Sequence, residues 1–227
     1  MTGADFLTVQ EPPMDPKRAK AFEAAFTPYP LAVQTLRAAA QYFLGPRTRR
    51  RFTTIDPSAG AGVWCQALRE VFHDPYVFAV EARPEEECWL RKNADEVELA
   101  DFLALNVSSG AFDILATNPP FSLFAEFAEE GMRVADECWL YAPCDISMRS
   151  EDAAKWMVEN QRWVTAEFTT PGPISFTGDG KADFRHYSLW CLSRLSTGPC
   201  WRRQVLPMLP SAQRRWRDRP GTVEVPG

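Results

Sequence analysis

Histidine is scarce in this chain: 227 residues contain two, His73 and His186, and the six cysteines (Cys65, Cys88, Cys138, Cys144, Cys191, Cys200) include no Cys-x-x-Cys pair. So few imidazoles leave little material for a histidine-based triad or a zinc centre, and scattered thiols inside predicted helices and strands read as small buried apolar residues. Neither a metal nor a disulfide is expected. Also missing is any apolar run of membrane-spanning length, and the stretch from Met1 to Lys20 is polar, acidic and proline-bearing, without the apolar core of a signal peptide. The expectation is a cytoplasmic protein without a membrane partner.

What is present is ordinary for a globule: 45% hydrophobic and 24% charged residues over a length that suits one well-buried α/β domain. The net charge of −5 is unevenly spread. From Arg194 onward there are seven arginines against Asp218 and Glu224, a net of +5, which leaves −10 on residues 1–193. A second basic knot, Arg47, Arg49, Arg50 and Arg51, precedes the first predicted strand. Each cluster is open to three readings: a phosphate-contacting surface, a site for an acidic partner, or a solvated face.

In chain order, residues 1–25 are weakly patterned and proline-bearing, and read as a loose arm. Phe26-Thr27-Pro28-Tyr29-Pro30 then leads into a helix from Leu31 to Leu44, closed by Gly45-Pro46. A strand from Arg51 to Asp56 enters the small-residue turn Asp56-Pro57-Ser58-Ala59-Gly60-Ala61-Gly62, before a helix from Val63 to about Phe72. Such a turn lets the backbone approach a ligand closely at a helix N-terminus. Strands at 76–80, 97–100, 112–117, 138–142, 163–168 and 186–192 follow, with helices at 84–93, 121–134 and 151–159 among them. Strands alternating with helices at this spacing imply a mostly parallel sheet of seven strands, helices on both faces, and ligands gathered at the strands' carboxyl ends. Glu81, 25 positions after Asp56, lies where nucleotide-binding folds place a carboxylate against ribose hydroxyls. From Ser193 the periodicity is lost, so 193–227 reads as a basic extension to a domain spanning 26–192.

The most specific stretch is Leu115-Ala116-Thr117-Asn118-Pro119-Pro120-Phe121-Ser122. An apolar strand ends where two prolines, lacking amide hydrogens and fixing φ, force a rigid extended turn. Such a turn aims the Asn118 side-chain oxygen and the backbone oxygens of Pro119 and Pro120 at one place, beside the flat face of Phe121. That set suits a planar amino group: acceptors gripping both hydrogens favour a pyramidal, more nucleophilic nitrogen, and the aromatic ring holds the base by stacking.

Taken together, these pieces resemble the S-adenosylmethionine-dependent adenine-N6 methyltransferases, over roughly residues 25–192. The resemblance implies a Rossmann-like class I methyltransferase fold and assigns roles. Phe26-Thr27-Pro28 looks like the first cofactor-contacting motif, and Asp56, Pro57, Ser58, Gly60 and Gly62 like the glycine motif around the methionine portion. Glu81, with Ala82, matches the ribose-binding position, and Asp101-Phe102 the pair flanking the cofactor's adenine. Asn118-Pro119-Pro120-Phe121 matches the catalytic tetrapeptide, with Asn118 also beside the cofactor. The loop from Ile174 to Lys181 resembles a late motif of small phage and prophage members, where an aromatic residue lines the target-base pocket. Phe176 is the candidate, with Phe184 and Tyr187 as competitors and Lys181 as a further substrate contact. The implied partner is nucleic acid, DNA by preference, with a flipped-out base. Adenine in RNA, a glutamine amide in protein, and a non-enzymatic phage protein that binds a host factor stay open as alternatives. No separate target-recognition domain is visible.

Overall fold

The computed structural model describes residues 27–45, 50–174, 176, 185–195 and 202–210. Its centre is an eight-stranded sheet in the order β3-β2-β1-β4-β5-β7-β6-β8. The strands are β1 (Thr53–Asp56), β2 (Tyr76–Glu81), β3 (Glu96–Leu99), β4 (Phe112–Thr117), β5 (Ala135–Pro143), β6 (Val164–Thr170), β7 (Tyr187–Ser193) and β8 (Arg202–Val205). β1 to β5 run parallel to one another, and β7 is antiparallel to both of its neighbours, β5 and β6. The order reverses between β1 and β4: β2 and β3 extend one way and β5 the other. This reversal marks the carboxyl ends of β1 and β4 as the place where open α/β sheets bind ligands.

Side-chain alternation along the central strands supplies two cores, one per face. In β4, Ile114 and Ala116 face the first core while Leu115 faces the second. Helices α1 (Tyr29–Phe43) and α2 (Val63–Val71) cover the first face with Leu31, Leu36, Trp64 and Leu68. Helices α4 (Phe124–Val134) and α6 (Glu151–Glu159) cover the second with Phe124, Phe127 and Trp156; the short α3 (Glu87–Asn93) and α5 (Ile146–Arg149) join neighbouring elements. Pro28 and Pro30 start α1 as the sequence predicts, because a first-turn proline gives up no helical hydrogen bond. α4 lies close on β5 through Gly131, where an added Cβ would sit 2.5 Å from the Cys138 sulfur.

Three expectations are corrected. The sheet has eight strands rather than seven, because Arg202–Val205, expected in a tail outside the sheet, pairs in parallel with β6. That strand carries no apolar alternation. It is held instead by Arg203, which donates to the fully buried Glu167 at 2.7 and 3.2 Å, by Arg202 over the Tyr42 ring, and by the burial of Leu206. The helix predicted for 84–93 divides into a 3-10 turn, Pro84–Glu86, and α3. Cys65, Cys138 and Cys191 are buried as expected, but Cys88 is exposed and Cys144 half-buried; Cys200 lies outside the described residues. Among the described residues no helix is long and apolar enough to cross a membrane, and no cluster of His, Cys, Asp and Glu could hold a metal ion.

Candidate active site

β1 and β4 are neighbours in register, Ile55 beside Leu115, so the turns that follow them emerge side by side. Their ends are tied together by side chains. Thr117, the last residue of β4, lies 2.7 Å from Asp56 Oδ1 and 2.7 Å from Ser58 Oγ; the Ser58 hydroxyl in turn reaches the Asn118 backbone carbonyl at 3.0 Å. The glycine turn is thereby joined directly to the Asn-Pro-Pro turn. On its other side it is joined to β2: the Gly60 amide donates to Glu81 Oε2 at 2.6 Å, and the Ala59 amide to the Val80 carbonyl at 3.0 Å. Gly60 and Gly62 have φ of +52° and +80°, values that side-chain-bearing residues rarely adopt, which is why glycine stands at both positions.

Asp56 is completely buried, its carboxylate taken up by Thr117, the Ser58 backbone and the Cys65 thiol, the last at 3.6 Å from Oδ2. Burial pushes its pKa from 3.8 up to about 7, against the pull of those hydrogen bonds, and the negative charge of Glu81 adds to the rise. Burial also drives the Cys65 thiol well above its ordinary range, with the Asp56 charge adding to it. Glu81 is almost wholly buried and binds the Arg83 side chain and amide at 2.9 and 3.0 Å as well as Gly60. Ala82 beside it is exposed, and Pro57 is buried under the turn.

Thr27 is buried and accepts the Trp64 indole N–H at 3.2 Å, which anchors the start of α1 on the first residues of α2. Asp101 caps a 3-10 turn through the Leu103 amide at 3.0 Å, while the Phe102 ring points into the second core against Phe127, 5.4 Å away. Asn118 is half-buried and Pro119 buried. The Pro120 carbonyl accepts the Leu123 amide at 2.9 Å and so fixes the turn to the helix that follows. Phe121 is half-buried with its ring 5.9 Å from Tyr187. Tyr187 also meets Phe176 at 4.6 Å and Tyr141 at 5.8 Å, so the three aromatics predicted from separate stretches, Phe121, Phe176 and Tyr187, form one wall. Of these, Phe176 and Tyr187 are buried, which leaves Phe121 the accessible face. Phe26, Lys181 and Phe184 lie outside the described residues.

Sequence reasoning passed over Thr117, Arg83 and Tyr141. Thr117 had a signal: it is a hydroxyl residue at the last position of an otherwise apolar strand. Arg83 had one too, a cation two positions after the strand-end acid Glu81 that it binds; Tyr141 carries none, since its partners Thr170 and Tyr187 are far away in the chain.

A comparison with family models finds none that matches, and one with curated proteins finds none either. Solved structures do match. A protein from Pyrococcus horikoshii described as an RNA methyltransferase superposes with a TM-score of 0.58 at 20% identity, over 72% of this chain and 84% of that one. The methyltransferase subunit of a type I restriction-modification system from Streptococcus thermophilus gives 0.63 at 15% identity, over 84% and 51%. A class I S-adenosylmethionine-dependent methyltransferase from Listeria monocytogenes gives 0.57 at 13% identity, over 80% and 65%. The chain thus spans about half the length of the restriction-modification subunit. At these identities the likeness concerns the fold, which is that of the class I S-adenosylmethionine-dependent methyltransferases.

Proposed function

We propose that this protein transfers a methyl group from S-adenosylmethionine to the N6 amino group of adenine in DNA. The observation that carries the reading is the direct junction, through Ser58, of a glycine turn after β1 with an Asn-Pro-Pro-Phe turn after β4, at the point where strand order reverses. The residues present suit the cofactor. Glu81 lies at the glycine turn with carboxylate oxygens able to accept ribose hydroxyls, and half-buried Asp101 stands just past the end of the next strand, while Gly62 lets the turn pack on α3, where an added Cβ would sit 3.3 Å from the Asn93 side chain. Ribose hydroxyls would compete with the Arg83 guanidinium for Glu81. The cofactor supplies an already activated methyl group, so the protein's task is alignment. Asn118 and the Pro119 carbonyl accept the hydrogens of the target amine, and Phe121 stacks on the base, backed by Tyr187 and Phe176.

Phenylalanine rather than tyrosine at position 121 leans the substrate towards nucleic acid, and the likeness to a restriction-modification methyltransferase subunit supports the modification of DNA. The Pyrococcus neighbour makes adenine in RNA the competing substrate. Tritiated methyl transfer to DNA, RNA and protein in parallel tests the reading: label in DNA, lost in Asn118→Ala, is expected, and label in RNA or protein alone would replace the substrate.

A further inference from the structure

Four oxygens run in sequence under the two turns: Asp56 Oδ1, Thr117 Oγ1, Ser58 Oγ and the Asn118 carbonyl. Their separations are 2.7, 2.7 and 3.0 Å, each a normal hydrogen-bond length for a hydroxyl. Three contacts need three protons. The carbonyl has none to give and each hydroxyl has one, so with Asp56 ionised only two are available. One contact must then go without: if Thr117 donates to Asp56 and Ser58 to Asn118, the Thr117 and Ser58 oxygens face each other at 2.7 Å with no hydrogen between them, and if Ser58 donates to Thr117 instead, its oxygen faces the Asn118 carbonyl at 3.0 Å with none. An added proton on Asp56 removes the conflict: Asp56 donates to Thr117, Thr117 to Ser58, and Ser58 to the Asn118 carbonyl.

We propose that folded Asp56 carries a proton as the neutral acid, and that this proton completes a relay through Thr117 and Ser58 which fixes the Asn118 carbonyl, making Ser58 and Thr117 positioning residues for the Asn-Pro-Pro turn. The surroundings agree. Asp56 has no measurable exposure, and its other partners are the Cys65 thiol from α2 and the Ser58 amide; the charged group acting on it is the Glu81 carboxylate at the end of β2, which disfavours a second negative charge. That burial lifts its pKa to about 7 is consistent with the proton count. The relay does not depend on the reaction; that the turn it fixes is catalytic rests on the reading above.

The experiment is infrared difference spectroscopy of the unmutated protein against Asp56→Asn, at a pH midway between 3.8 and about 7. The carbonyl stretch of a buried protonated carboxyl is expected in the unmutated protein and absent from Asp56→Asn, which can still donate to Thr117 through its amide. Thr117→Val, of similar volume but without the acceptor, is expected to shift that band. No protonated-carboxyl band in the unmutated protein, or a band indifferent to Thr117→Val, overturns the relay. Stability gives a second readout. Between 3.8 and about 7 the folded protein holds a proton that the unfolded chain has released, so this contribution is full at low pH and is lost as pH rises through the folded value. The melting temperature should therefore fall by roughly 5 °C or more across that window relative to Asp56→Asn; parallel curves would count against the proposal. Ser58→Ala is expected to lower kcat by about tenfold while KM for the cofactor stays within about twofold. A change in KM alone would return Ser58 to cofactor binding and remove its positioning role. If no methyl transfer is found at all, the proposed function fails and the infrared result still decides the relay.

Discussion

Two carboxylates in this molecule are equally inaccessible, and the fold uses them in opposite ways. Asp56 lies beneath the β1 and β4 turns among hydroxyls, a thiol and an amide, and Glu167 lies beneath β8 facing a guanidinium. A buried carboxylate without a cation is costly, and the cost is relieved by taking up a proton; with a bidentate arginine it is relieved by pairing. Residue type and burial are nearly the same at the two places. What differs is the partner each strand end meets, and hence what the carboxyl does: Asp56 ties two turns of the candidate site together, whereas Glu167 docks the C-terminal edge strand. The lesson reaches to the basic tail. Of its arginines within the described residues, Arg203 is spent on Glu167, Arg202 lies over Tyr42 and Arg194 donates to the Arg133 carbonyl, so all three have structural work apart from any phosphate.

The comparison can be sharpened first at the site end. Asn118→Ala should lower methyl transfer at least a hundredfold, a loss of about 3 kcal/mol or more in transition-state stabilisation, with little change in melting temperature. Methylation at the unmutated rate would refute the catalytic assignment, and a protein that no longer folds would make Asn118 a structural turn residue. At the other end, Arg203→Ala strips the cation from buried Glu167 and should destabilise the fold by about 2–3 kcal/mol, discounted from a fully buried pair because the arginine side chain is 58% exposed. Urea unfolding reads this directly, and Arg203→Lys should recover part of it. A stability unchanged by Arg203→Ala would mean that β8 is held by Leu206 and the strand ladder alone.

Between the two lies Glu81, a buried acid that already has an arginine. Glu81→Ala should weaken S-adenosylmethionine binding by about 2 kcal/mol through lost charge-assisted hydrogen bonds. Calorimetry that finds the affinity intact would assign Glu81 wholly to holding Gly60 and Arg83. The smallest effect expected is for Phe121→Ala, about 1–2 kcal/mol in the binding of the target base from one lost stack, since Tyr187 and Phe176 behind it are buried and remain. Fluorescence titration with an oligonucleotide carrying 2-aminopurine at the target position measures it.

Much of this was legible in the residues themselves. β4 ends at Thr117 because Asn118-Pro119-Pro120 cannot continue a strand, and α6 runs from Glu151 to Glu159 as its pattern predicts. The alternation of strands and helices fixed the parallel half of the sheet, and with it the end at which a ligand site would form. Gly60 and Gly62 marked a small-residue turn between strand and helix, and both take positive φ there. These are local properties: proline geometry, apolar period and glycine freedom act within a few residues. What only the tertiary structure decided depends on which distant segments meet. Arg202–Val205 is a strand because Glu167 waits 36 residues earlier for Arg203. Phe121, Tyr187 and Phe176 form one wall because β7 inserts between β5 and β6 and brings Tyr187 beside the β4 turn. Asp56 reads in the sequence as a ligand-binding acid at the end of a strand, but the fold buries it against Thr117, 61 positions on, where its oxygens serve the protein's own interior.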